Sequence, residues 1–374
     1  MKYLFILGRN PELSLEEIKA YFTREENKIL DYSIKDNALF IDLEKPIQNI
    51  IENFGGVISI GEVIASGQGD ELIENIEKEE IYLGTENKFN YLLWDFSKEE
   101  REVESYLKKR FRKEKLKVTQ KQIKSEMVLQ SGEKVLVSSS GRNIDLEYFV
   151  FDEEDISYFG KITQKSDYDA IESRDMNKPV RRESLSISPR LSKIMINLSL
   201  VKPGEKMLDA FSGIGGILQE ALIQGIKVIG VEKDKPAVDG AHQNLEFAGF
   251  SKTDYDLINF DSTRVKISKV QAMVSEPDLG ETLKKMPTKA NAKKTLREFE
   301  WLMIKVINNL KRDIEGRIVF TSPLIKHYKK RMHCNIERIL EETGYSLVKG
   351  FPIAEFRQGQ VVGREIYVLE RNDL

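Results

Sequence analysis

The segment Asp209-Ala-Phe-Ser-Gly-Ile-Gly-Gly216 carries the residue types that hold a nucleotide-like ligand at a strand end. Met207-Leu208-Asp209 reads as the end of a buried strand, and the glycines that follow turn the chain into a helix. Glycine lets a ligand approach the backbone, and a helix N-terminus presents free N–H groups. A Gly-x-Gly pair alone is also what ordinary turns look like. The dinucleotide fingerprint wants a third glycine where Leu218 stands, and the Gly-x-x-x-x-Gly-Lys pattern is absent, so NAD and P-loop triphosphates are disfavoured.

The next two strand ends narrow the choice. Gly230-Val231-Glu232 places an acid 23 residues after Asp209, the spacing of one helix plus one strand. An acid there can accept hydrogen bonds from both ribose hydroxyls; the plainer role is a cap for the next helix. Asn259-Phe260-Asp261 follows the third strand. Asp261 can bind an adenine amino group with Phe260 beside the ring, or serve only as a turn residue. Together these positions point to S-adenosyl-L-methionine. Asp209 contacts its methionine end or orients the glycine loop. The cofactor-binding candidates are Asp209, Ala210, Phe211, Gly213, Gly215, Gly216, Glu232, Lys233, Asp261 and Ser262.

The elements that must position these residues form two halves. From Ser188 onward, strand and helix alternate: strands at 206–208, 227–231, 255–258, 271–275 and 317–321, with helices at 214–224, 236–248 and 295–310. Strands at 345–356 and 360–369, joined at Arg357-Gln358-Gly359, close the chain as a hairpin. This predicts a doubly wound, Rossmann-like α/β domain over 191–374, a parallel sheet with one antiparallel strand. Residues 1–165 read as α+β. Strands are expected at 2–7, 38–43, 57–65, 89–96, 135–139 and 146–151. Helices are expected at 46–54 and 98–112, and a Ser14/Glu17 capping box opens another. Without long parallel crossovers, small α+β units are expected. The polar stretch 166–190 reads as a linker.

Composition sets the outer limits. The chain has 374 residues, enough for two or three domains, and is 40% hydrophobic and 32% charged. No apolar run approaches the roughly 20 residues that span a bilayer, and the N-terminal apolar stretch is short for a signal peptide. One cysteine, Cys334, rules out intrachain disulfides and multi-cysteine metal sites. No metal site and a cytoplasmic location are expected. Net charge is −3, yet Arg101 to Lys124 holds ten Lys/Arg against three Glu. Lys178, Arg181, Arg182, Arg190 and Lys193 form a second basic stretch, and Lys326, Lys329, Lys330 and Arg331 a third. Any one run is ordinarily a solvated face; three favour a polyanionic partner.

Ser188-Pro-Arg-Leu-Ser-Lys-Ile-Met-Ile-Asn-Leu198, the run from Val201 through the glycine loop to Ala221, and Ser173-Arg-Asp-Met-Asn-Lys-Pro-Val-Arg181 resemble the tRNA guanine-N2-methyltransferases that carry a THUMP domain and act on the guanosine at tRNA position ten. The resemblance covers about 156–280 well, and the first half mainly in layout, including Gly55-Gly56-Val-Ile-Ser-Ile-Gly61. It implies a ferredoxin-like subdomain and a THUMP module within 1–165 that grips tRNA, with Arg101 to Lys124 facing phosphates. A small activator protein as partner is not readable from the sequence.

In that family the fourth strand ends in Asp/Asn-Pro-Pro-Tyr. The side chain and a proline carbonyl accept hydrogen bonds from the target amine, and the aromatic stacks on the flipped base. Here the motif reads Glu276-Pro277-Asp278-Leu279-Gly280. Glu276, Pro277 and Asp278 are the catalytic candidates. Base stacking is worth about 1–3 kcal/mol, which Leu279 does not fully supply. Methylation of another nucleotide or atom, or RNA binding without catalysis, therefore remains open beside guanine N2. A DNA or small-molecule methyltransferase on the same fold is a further alternative. Lys284, Lys285, Lys289, Lys293 and Lys294 are expected in a substrate-side loop over 281–294. No histidine sits in a nucleophile motif.

Overall fold

A computed structural model describes residues 1–97, 100–122, 125–137, 144–181, 187–278 and 286–371. They divide into two compact units. The first comprises Met1–Pro11, Asn27–Glu52 and Val57–Ser166; the second comprises Glu12–Glu26, Asn53–Gly56 and Asp167–Leu374.

In chain order β1 (Lys2–Leu7) is followed by α1 (Pro11–Arg24), which falls in the second unit from Glu12 on. The first unit continues with β2 (Ile29–Lys35), β3 (Ala38–Leu43), β4 (Val57–Gly67), α2 (Asp70–Lys78), β5 (Lys88–Phe96), α3 (Glu100–Lys113), β6 (Lys117–Lys121), β7 (Ser125–Val128), β8 (Lys134–Val137), β9 (Leu146–Glu153) and β10 (Ile156–Lys165). Eight of these strands make one sheet in the order β2-β3-β1-β4-β10-β9-β5-β6, and β7 pairs with β8 alone. The sequence predicts small units without parallel crossovers. Instead β5 runs parallel to β6 across α3, because β5 is apolar on both faces. On one face Leu72 and Ile76 of α2 and Val103, Leu107 and Phe111 of α3 cover Phe89, Tyr91 and Tyr148. On the other Trp94 joins Leu4, Phe40, Phe149 and Phe151.

Two local expectations fail here. No α-helix covers 46–54; only a 3-10 turn at Ile51–Asn53 forms. Asn49 has φ 51°, and the Ile50 and Ile51 N–H groups donate to Gln164 Oε1 at 2.7 and 3.0 Å rather than into a helix. Ser14 and Glu17 lie inside α1 and do not cap it. The Ser14 hydroxyl donates to the Gly56 carbonyl at 2.9 Å, and Glu17 accepts from the Gly55 and Gly56 N–H groups, both at 2.7 Å.

The second unit adds α4 (Tyr168–Met176), α5 (Pro189–Leu198), β11 (Lys206–Asp209), α6 (Gly216–Ile223), β12 (Lys227–Glu232), α7 (Lys235–Phe247), β13 (Tyr255–Asn259), β14 (Ala272–Ser275), α8 (Lys289–Leu310), β15 (Ile318–His327), β16 (Lys330–Met332), α9 (Ile336–Thr343), β17 (Tyr345–Leu347), β18 (Ile353–Glu355) and β19 (Val362–Arg371). The main sheet runs β13-β12-β11-β14-β15-β19-β17. β11 to β15 are mutually parallel, and β19 is antiparallel to β15 and β17. Side chains of α5 and α6 pack on one face and those of α8 and α9 on the other, as a parallel sheet buried on both faces requires.

This order brings the C-terminal ends of β11, β12, β13 and β14 to one edge, where doubly wound folds bind ligands. The late hairpin is shorter than its sequence suggests: the chain breaks between β17 and β18, and β18 pairs with β19 from Ile353↔Ile366 to Glu355↔Arg364. Within 166–190, α4 forms and Arg174 pairs with buried Glu220 at 3.1 Å.

Candidate active site

Asp209 ends β11 and is buried, 1% exposed. The Phe211 N–H donates to its Oδ1 at 3.1 Å. Burial pushes its carboxyl up to about 7, against the pull of Phe211 and the Ser275 hydroxyl; the charges of Glu232 and Glu276 push the same way as burial. The loop beyond is fastened from three sides. The Ala210 N–H donates to Ser275 Oγ at 2.8 Å, the Ser262 hydroxyl donates to the Ala210 carbonyl, and the Ser212 N–H donates to the Val231 carbonyl at 3.0 Å. Gly213 and Gly215 have φ 50° and 87°, conformations that favour glycine. Gly216 then opens α6.

Glu232 bridges loop and strand: Oε2 accepts from the Gly213 N–H at 3.1 Å and Oε1 from the Asp234 N–H at 2.8 Å. Its neighbour Lys233 is exposed. Asp261 turns back on its own loop, accepting from the Thr263 hydroxyl at 2.7 Å and the Thr263 N–H at 2.9 Å. The Thr263 hydroxyl, then its N–H, hold the Asp261 carboxyl below the ordinary range. Beside it the Phe260 ring is 49% exposed.

These residues fit a nucleoside with a cationic amino-acid arm. A side chain at Gly213 would meet nothing within 4 Å. The buried Ser212 hydroxyl has no hydrogen-bond partner among the described residues. Acids stand at two adjacent strand ends, and an exposed aromatic ring at the third.

Glu276 follows β14 and is largely buried, but it does not stand alone. Arg364 of β19 grips it: Nε donates to Oε1 in a short charge-assisted bond, and Nη2 to Oε2 at 3.3 Å. The Thr321 hydroxyl of β15 approaches Oε1 at 3.4 Å. Pro277 is buried and Asp278 exposed. Leu279, Gly280, Lys284 and Lys285 lie outside the described residues. Arg364 and Thr321 escape sequence reasoning, since Arg364 is 88 positions from Glu276. The one signal is Arg364-Glu365 interrupting an apolar strand.

The basic stretches fare differently. Lys108, Lys109, Arg112 and Lys113 are exposed on α3, whereas Arg110 donates to the carbonyls of Ile76 and Glu79 at 2.5 and 2.6 Å. In the second stretch Lys178 pairs with Asp175 at 2.8 Å, Arg190 donates to the Gly55 carbonyl at 2.6 Å and Lys193 is buried, so these three serve the fold; Arg182 lies outside the described residues. In the third, Lys329 and Lys330 are exposed, while Arg331 lies over the Phe356 ring at 3.8 Å. Lys289, Lys293 and Lys294, expected in a loop, are on α8, whose first turn is capped by Thr288 accepting from the Asn291 N–H at 3.2 Å. Burial raises the Cys334 thiol to about 11, which makes it a poor nucleophile. Among the described residues, no group of three or more His, Cys, Asp or Glu could hold a metal, and no helix is long and apolar enough to cross a membrane.

Fold and loop together define a class I methyltransferase domain, whose cofactor is S-adenosyl-L-methionine. Residues 179–321 match the family described as UPF0020: RMKL-like, methyltransferase domain. A tRNA (guanine(10)-N2)-dimethyltransferase of Methanothermobacter thermautotrophicus is 34% identical over 165 residues, covering 41% of this chain and 48% of that protein. One of Pyrococcus abyssi is 25% identical over 288 residues, 75% of this chain and 78% of that protein. The chain thus spans about half the length of the first of these curated relatives in the matched stretch. The crystal structure of TrmN from Thermus thermophilus shares the fold over 99% of this chain and 100% of that one, with TM-score 0.54 and 14% identity. Residues 179–321 thus carry the methyltransferase domain of that family, and the chain is similar to these tRNA guanine-N2-methyltransferases.

Proposed function

We propose that this protein methylates the exocyclic N2 of a guanosine in tRNA. The observation that carries the reading is the position of Glu276, an acceptor-bearing side chain at the end of β14, beside Asp209 and the glycine loop, in a chain whose relatives carry that activity in their names. In this reading the cofactor residues are Asp209, Ala210, Phe211, Gly213, Gly215, Gly216, Glu232, Lys233, Asp261 and Ser262. Residues 1–165 hold a ferredoxin-like subdomain and a THUMP module, 166–190 connect, and 191–374 form the catalytic domain of a cytoplasmic enzyme.

The guanine amine is a weak nucleophile because its lone pair is delocalised into the ring, so positioning carries much of the work. Glu276 and the Pro277 carbonyl accept its two N–H bonds and turn the lone pair toward the methyl donor. S-adenosyl-L-methionine supplies an electrophilic methyl whose C–S electron pair remains on sulfur. The amine lone pair forms the new N–C bond, and the departing amine proton passes to the Glu276 carboxylate and on to water. Asp278 lines the approach.

Unmodified tRNA incubated with labelled S-adenosyl-L-methionine, then digested for nucleoside mass spectrometry, tests the proposal. Methylguanosine is expected. Another methylated nucleoside would replace guanine N2 as the target, and absence of both transfer and cofactor binding would remove the methyltransferase reading. Glu276→Ala is expected to lower turnover at least about 100-fold. Alanine at Lys108, Lys109 and Arg112 together is expected to weaken tRNA binding and flatten its salt dependence by roughly 0.7–0.9 for each phosphate no longer neutralised. An unchanged slope would place the RNA elsewhere.

A further inference from the structure

Arg364 is assigned no part in the reaction above, yet it makes the two closest approaches to Glu276. Glu276 has one side-chain methylene more than an aspartate at the same place, so by itself its carboxylate could swing through several rotamers. Here it cannot. Nε and Nη2 of Arg364 each donate to a different carboxylate oxygen, a two-point pairing that guanidinium offers a carboxylate. Thr321 stands against the same Oε1. With side-chain exposure of 10% for Glu276 and 24% for Arg364, water competes little for the pair.

The charges around the pair point the same way. Asp209 of β11 feels the charges of both Glu232 of β12 and Glu276, so three carboxylates crowd one strand edge. Glu355 of β18 also acts on Arg364. Among the described residues, Arg364 is the cation that touches Glu276 directly. The strand that carries Arg364 is held by its pairing with β15 on one side and β17 on the other. We propose that Arg364 is the positioning residue of the methyl-acceptor site. It fixes the plane of the Glu276 carboxylate and keeps both oxygens as hydrogen-bond acceptors, so that their remaining lone pairs face the amine. The longer acid at the end of β14 and the arginine on β19 thus work as one unit.

This rests on Glu276 being the acceptor, as proposed above, but its test does not depend on tRNA alone. Arg364→Gln, Arg364→Lys, Glu276→Gln and the Arg364→Gln/Glu276→Gln double variant are compared in three measurements: turnover with unmodified tRNA, calorimetric affinity for S-adenosyl-L-methionine, and the thermal midpoint of the protein alone between pH 4.5 and 8. Arg364→Gln is expected to lower kcat about 10- to 100-fold, with KM for tRNA and cofactor affinity within about threefold. Arg364→Lys recovers part of kcat, and the double variant loses no more than Glu276→Gln alone, because residues acting as a unit are not additive. Without its cation, Glu276 is a largely buried acid beside two others. The thermal midpoint of Arg364→Gln should then fall as pH rises through this range more than that of the wild type, and adding Glu276→Gln should cancel the excess. Additive losses, absence of rescue by lysine, or thermal profiles that match the wild type would overturn the proposal. If the wild type methylates no tRNA, the functional reading fails, while the thermal profiles still decide whether the pair is coupled.

Discussion

Asp209→Asn is expected to stabilise the protein at pH 8 while weakening its hold on S-adenosyl-L-methionine. Burial raises the Asp209 carboxyl from 3.8 to about 7. An acid whose folded value lies above its unfolded one binds a proton that the unfolded chain has released, so its stabilising contribution is complete below about 3.8 and is lost as pH climbs to about 7. A shift of this size corresponds to at most about 4 kcal/mol. Asparagine carries no such penalty and can still accept from the Phe211 N–H. The variant and the wild type should therefore melt together near pH 4 and separate by several degrees at pH 8, with the variant higher. In the proposed site, the charge that costs stability is the one that would face a cationic ligand, a trade common at functional sites. Losing a charge-assisted hydrogen bond is worth about 1.5–3 kcal/mol, or roughly 10- to 100-fold in affinity. Wild-type affinity should also strengthen as pH rises through about 7. Equal calorimetric affinities for variant and wild type would remove Asp209 from the site.

The second unit is legible in the sequence because its signals are local. The strict alternation from Met207 to Thr321 specifies the β/α order, and acids at 232 and 261 fall where β12 and β13 end because each follows one helix and one strand. What stays hidden depends on pairing between distant segments. Arg364 meets Glu276 only because β19 inserts antiparallel beside β15, putting Pro323 opposite Arg364 and Ser322 opposite Glu365. Asp261 Oδ1 also accepts from the Thr263 N–H and hydroxyl two residues on, a local bond that spacing does not reveal. The stretch 46–54 has helical periodicity in Ile47, Ile51 and Phe54. A glutamine on β10, over a hundred positions away, captures the N–H groups instead. Ser14 and Glu17 have the residue types and spacing of a capping box, yet their partners are Gly55 and Gly56.

That last reassignment carries the largest expected loss of stability. Glu17 is completely buried and accepts three hydrogen bonds within the second unit: from Gly55 N–H and Gly56 N–H at 2.7 Å and from Asn197 Nδ2 at 2.9 Å. Asn197 Oδ1 in turn accepts from Arg24 at 3.2 Å, and Arg190 donates to the Gly55 carbonyl at 2.6 Å. α1, the 53–56 segment and α5 are thereby tied by one buried carboxylate. Glu17→Ala would leave the buried Gly55 and Gly56 N–H groups without an acceptor, at roughly 1–3 kcal/mol each, and leave Asn197 Nδ2 with only its bond to the Asn53 carbonyl. Its thermal midpoint should fall by about 10 °C or more, whereas Glu17→Gln, which keeps one acceptor oxygen, should lose less. The pH dependence separates the two causes. Burial outweighs the hydrogen bonds and raises Glu17 from 4.5 to about 7, so its contribution too declines as pH rises between those values, and Glu17→Gln should flatten that decline. None of the Glu17 partners belongs to the glycine loop, so cofactor affinity measured well below the melting temperature should stay within about twofold. A fragment starting at Asp167 lacks α1 and the 53–56 segment and leaves Asn197 without Glu17. It should melt lower than the full chain, and a fragment as stable as the whole protein would show that the buried carboxylate does not hold the second unit together.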